Sequence, residues 1–68
     1  MKSRYVIKVG NNYYNDKNDY SSDLNTATVY PDIYAAHFKL MQLIEKHTQV
    51  INVIELETKK VIIKIQGE

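Results

Sequence analysis

The sequence predicts an α+β fold, with one helix packed on a mostly antiparallel sheet of four to five strands in the order ββ-loop-β-α-ββ. Three observations predict it. Residues 5–9, 50–57 and 61–65 are rich in β-branched side chains, in alternating or short apolar runs, as strands are. Residues 33–47 instead repeat their apolar positions at helical spacing and contain no Gly or Pro, as a helix does. The chain has 68 residues and no cysteine, which suits a single domain over 1–68 with one core and neither a disulfide nor a thiolate metal site. Domains this small bury only about 60% of their unfolded surface. Some are completed by a second subunit, so a homodimer is among the expectations.

The elements follow in order. In Tyr5–Val9 the side chains of Tyr5, Ile7 and Val9 share one face, and Val6 and Lys8 the other. Gly10, Asn11 and Asn12 tolerate positive φ and supply a hairpin turn. Tyr13 and Tyr14 open the second strand and must point to opposite faces. Residues 15–25 are polar at nine of eleven positions and predict a flexible loop, because Asx and Ser side chains compete for the local backbone. Tyr20 and Leu24 are its only apolar anchors. Thr26–Tyr30 regains strand character and predicts a short third strand, which Pro31 ends.

Asp32 is placed to cap the helix. Over 33–47, Ile33, Ala36, Leu40, Leu43, Ile44 and His47 form the core face. Lys39, Gln42 and Lys46 fall opposite, and Lys46 and His47 suit the negative end of the helix dipole. Residues 50–57 and 61–65 form a second hairpin through Thr58, Lys59 and Lys60. Val61, Ile63 and Ile65 are expected on one face of its last strand, with Ile62 and Lys64 on the other.

The chemistry of an enzyme is not visible in this pattern. His37 and His47 are ten residues apart on the helix, about 15 Å, too far for one metal or one dyad. The two glycines, Gly10 and Gly67, make no phosphate loop. Asp16, Asn18, Tyr20 and Asp23 have some of the spacing of a calcium loop, but the central Gly is missing and Ala27 stands where a bidentate Glu is needed. Glu55 and Glu57 share a strand face without a pocket around them. No catalytic residue, metal or cofactor is expected. The net charge of +1 carries no excess for polyanions. No apolar run approaches a bilayer span, and there is no N-terminal signal core. The expectation is a cytoplasmic protein with no membrane partner.

Two surfaces are candidates for binding. Tyr34, Phe38 and Met41 are spaced i, i+4, i+7 and form a second apolar stripe beside the core face. Such a stripe is either the flank of a wide core or a contact surface for a partner protein or a second copy of this chain. The alternative lies on the sheet. Tyr5, Tyr13, Tyr14 and Lys8, with Lys2, Arg4 and Lys64 nearby, could stack bases and meet phosphates of a single-stranded nucleic acid. A single arginine and the acids of the last hairpin weigh against it.

Lys outnumbers Arg eight to one, and Asn, Ile and Tyr are frequent. All four types have A/T-rich codons, which points to a low-GC genome. The segments YVIKVGNNYY, TATVY, PDIYAAHFKLMQLIEKH and VINVIELE together resemble small proteins of unknown function carried by phages and prophages of low-GC Gram-positive bacteria, including staphylococci. The resemblance covers most of the chain and is weakest over KKVIIKIQGE. It carries no catalytic residue. It implies a protein that acts in the host cytoplasm by occupying a host protein, as a host-takeover factor or an inhibitor of a defence nuclease.

Overall fold

The computed structural model describes residues 3–17, 19–46 and 49–66. Of the positions weighed above, Lys2, Asn18, His47 and Gly67 lie outside the described residues. The chain forms one helix on a five-stranded antiparallel sheet. Strands β1 (Tyr5–Val9), β2 (Asn12–Asn15) and β3 (Asp19–Ser21) precede a short 3₁₀ turn (Leu24–Thr26). Helix α1 (Ile33–Ile44), β4 (Val50–Glu55) and β5 (Val61–Gln66) follow. The strand order is β3-β2-β1-β4-β5. The predicted α+β class holds, with five strands.

Period-2 alternation builds the core. Cross-strand pairs share a face, so the register Ile7↔Val53↔Ile63 and Val9↔Ile51↔Ile65 sets six aliphatic side chains on one side of the sheet. Ala36, Leu40 and Leu43 of α1 close over them, with Ile33 and Ile44 at the margins. Asp32 caps the helix as expected, its Oδ1 accepting the Ala35 N–H at 2.8 Å. Gly10 takes φ +59° in the β1–β2 turn, which an L side chain enters only with strain. Val6 lies on the sheet face away from α1, yet it is fully buried.

Four expectations are corrected. The third strand is Asp19–Ser21, inside the segment predicted to be a flexible loop. Tyr20 pairs with Tyr14, their rings edge to face at 5.8 Å, and an aromatic cross-strand pair of this kind stabilises a hairpin. Asn15 Oδ1 accepts the Lys17 N–H at 2.7 Å, tightening the turn between the strands. Thr26–Tyr30 forms no strand. Its start belongs to the 3₁₀ turn, capped by Asp23, and only Tyr30 bridges to Tyr5.

The helix stops at Ile44 rather than at 47, because the Lys46 N–H bonds back to Leu43 O at 2.9 Å, an i→i+3 contact that tightens and ends the last turn. Lys46 therefore lies beyond the final turn. In β5 the register shifts between Val53 and Ile54, so that Val61 pairs with Ile54. The extra residue takes Val61 out of phase with Ile63 and Ile65, and both Val61 and Ile62 are left exposed.

Candidate functional site

The stripe on α1 is uncovered. Tyr34, Phe38 and Met41 are 82%, 68% and 46% exposed, while Ala36, Leu40 and Leu43 beside them are buried. The opposite flank of the helix has a defined neighbour. Lys39 Nζ lies 5.4 Å from the centroid of the Tyr14 ring, and Lys39, Gln42 and Lys46 line a cavity of about 290 Å³ with Tyr14, Asp19 and Tyr20. The polar residues expected to oppose the core thus turn toward β2 and β3. At about 100° per residue, Met41 and Tyr34 lie about 100–120° from Leu40 on the other side of the helix, and Phe38 about 160° away, turned from the sheet to solvent. Three apolar side chains, two of them aromatic, are thereby held on a helix whose position the core fixes.

The sheet divides the residues proposed for nucleic acid. Tyr13 pairs with Lys8, and Lys8 with Asn52, which is opposite Lys64. These four therefore share the face away from α1. Lys8 Nζ sits over the Tyr13 ring at 5.6 Å. Tyr5 and Tyr14 face the other way and pack against the core, so they are not free to stack on bases. Sequence alternation foretold that Tyr13 and Tyr14 would part, but not which face α1 would cover.

The carboxylates have separate tasks. Glu57 pairs with Arg4 at 2.9 Å, an exposed ion pair of small energetic weight. Glu55 Oε1 accepts the Thr58 hydroxyl at 2.7 Å. That bond, with a second from Ser3, holds the Glu55 carboxyl below the usual range. His37 is exposed on α1. Among the described residues no group of three His, Cys, Asp or Glu side chains is placed to hold a metal, and no helix is long and apolar enough to cross a membrane.

Three tyrosines have raised pKa values. Burial is the main cause at each, followed by Asp16 at Tyr14, Asp19 at Tyr20, and Asp16 and then Tyr14 at Tyr30. The effect is greatest at Tyr30, whose hydroxyl oxygen is sealed from solvent without a hydrogen-bond partner. These side chains serve packing, and sequence composition offered no means of telling them from surface tyrosines. No protein-family model, curated protein or solved structure matches this chain.

Proposed function

We propose that this chain is a small non-catalytic accessory protein that binds and modulates another protein through Tyr34, Phe38 and Met41. One observation carries the reading. A 68-residue chain leaves a Tyr, a Phe and a Met uncovered on the solvent side of helix α1. Aromatic residues and Met are enriched where proteins meet, and a rigid helix presents them with little loss of conformational freedom on binding. The resemblance to phage-carried proteins supports a host protein as the target and the host cytoplasm as the place of action.

The test is a paired capture from host lysate with wild-type and Phe38→Asp bait. A protein retained by the wild type and lost from a folded Phe38→Asp variant supports the proposal. Equal retention by both baits removes the stripe from the site.

A second reading is favoured by the Tyr13–Lys8 contact and the adjacent Lys64. In it the face away from α1 binds single-stranded nucleic acid. This reading has lost Tyr5 and Tyr14 to the core, and the near-neutral charge gives it little electrostatic drive.

A further inference from the structure

We propose that the outer edge of β5 pairs antiparallel with β5 of a second copy of this chain, joining two sheets of five strands into one of ten. This dimer stands independently of the function proposed above. The two edges of the sheet are unequal: β5 has six residues and β3 has three. Short edges resist strand addition, and long ones invite it.

Hydrogen bonds fix the direction of the β5 backbone. The Gly10 N–H donates to Val50 O, and the Leu56 N–H to Arg4 O. Even-numbered residues of β4 thus bond toward β1. By the alternation of an antiparallel ladder, Ile51 and Val53 bond the other way, toward their partners Ile65 and Ile63. Lys64 lies between those two, so its backbone N–H and C=O are directed out of the sheet.

Exposed apolar side chains lie on this edge as well. The exposed large hydrophobic side chains among the described residues are Val29, Tyr34, Phe38, Met41, Val61 and Ile62. Val61 and Ile62, at 53% and 46% exposure, belong to β5 itself. Ile63 and Ile65 are only half-buried, because α1 rests on β1 and β4.

A second copy fits this edge because the edge is self-complementary. Antiparallel registers centred on Ile63 or on Ile65 keep the core-facing isoleucines of both copies on one face. Both also offset each Lys64 from its twin. The register between them sets two lysines directly opposite, which is unfavourable.

A six-residue strand is about 20 Å long, and the smaller extents of the molecule are 20 and 17 Å. The edge therefore covers at most roughly 350 Å² of each protomer, below the ~800 Å² of a standard interface. The dimer is accordingly a weak, reversible one. Two α1 helices would stand four strand spacings apart, about 19 Å, which leaves the stripe of each open to a partner.

Sedimentation equilibrium from about 5 μM to about 1 mM, the range of weak association, tests the proposal. The wild-type mass should rise from 8.0 kDa toward twice that value. Lys64→Pro removes an outward N–H that takes no part in the β4 ladder, the kind of edge position where Pro is tolerated. It should remain monomeric with an unchanged melting temperature. Ile62→Lys adds a charge at the same edge and decides the matter if Lys64→Pro does not fold. A folded, monomeric variant supports the dimer. A wild type that stays monomeric, growth into larger assemblies, or a folded variant that dimerises as the wild type does would overturn it.

Discussion

Tyr30→Phe should stabilise this protein. Tyr30 bridges the 24–30 segment to β1 through its backbone, with its N–H donating to Tyr5 O at 2.8 Å and its C=O accepting from Tyr5 N at 3.0 Å. Its ring packs against the core. Neither role needs the hydroxyl, whose oxygen is buried without a partner. An unsatisfied buried polar group costs about 1–3 kcal/mol. Phe keeps the ring and the bridge and removes that cost, so a gain of about 1 kcal/mol is expected at pH 7. In a domain this size, that raises Tm by about 4–8 °C.

The pH dependence gives a second readout with a definite sign. An unfolded tyrosine ionises near pH 10. The folded Tyr30 resists ionisation because of burial and then the nearby Asp16 and Tyr14. Its neutral form therefore favours the fold fully below about pH 10, and that contribution is lost as the pH rises from there toward the raised folded pKa. Tyr30→Phe lacks this loss, so its advantage over the wild type should widen above pH 10. Tyr14 and Tyr20 titrate in both proteins and contribute to both alkaline slopes. Thermal melts by circular dichroism from pH 7 to pH 11 measure both effects. A lower Tm for Tyr30→Phe at pH 7, or parallel alkaline slopes for the two proteins, would refute the reasoning.

Leu40→Ala should cost about 2–5 kcal/mol by urea denaturation, since it empties a fully buried site at the centre of the core. That is a large part of the roughly 3–10 kcal/mol available to a chain of this length, and a loss below about half a kcal/mol would contradict the assigned helix phase. Mixed single-stranded oligonucleotides at low salt should bind weakly or not at all by fluorescence titration. Tight, salt-sensitive binding that Tyr13→Ala abolishes would instead establish the open sheet face as the functional surface.

Residue patterns carried most of the architecture and part of the candidate site. Alternation in Tyr5–Val9 and the Gly10 turn set the first hairpin. The spacing of Ala36, Leu40 and Leu43 set the helix phase, and with it the outward direction of Tyr34, Phe38 and Met41. The third strand was hidden because a single residue, Tyr20, makes it: the Tyr14–Tyr20 contact crosses strands and leaves no trace in a polar stretch. The shift at Val61 was hidden for a related reason. An extra residue on one strand is defined only against its partner, and the Ile54↔Val61 pairing exists only in the sheet. The fate of Tyr5 depended on which face α1 covers, a tertiary choice that local alternation leaves open.

The central claim is that the outer stripe of α1 binds a protein while the core lies beneath it. The most direct measurement is the affinity of the captured partner for wild-type protein and for Phe38→Asp, with the melting curve of each. An aromatic hot spot contributes about 2–4 kcal/mol, so the substitution should weaken binding by roughly 30- to 1,000-fold. Because Phe38 is mostly exposed, the Tm should remain within about 2 °C of wild type, as for a surface substitution. Equal affinities would contradict the claim, as would a Phe38→Asp variant that does not fold.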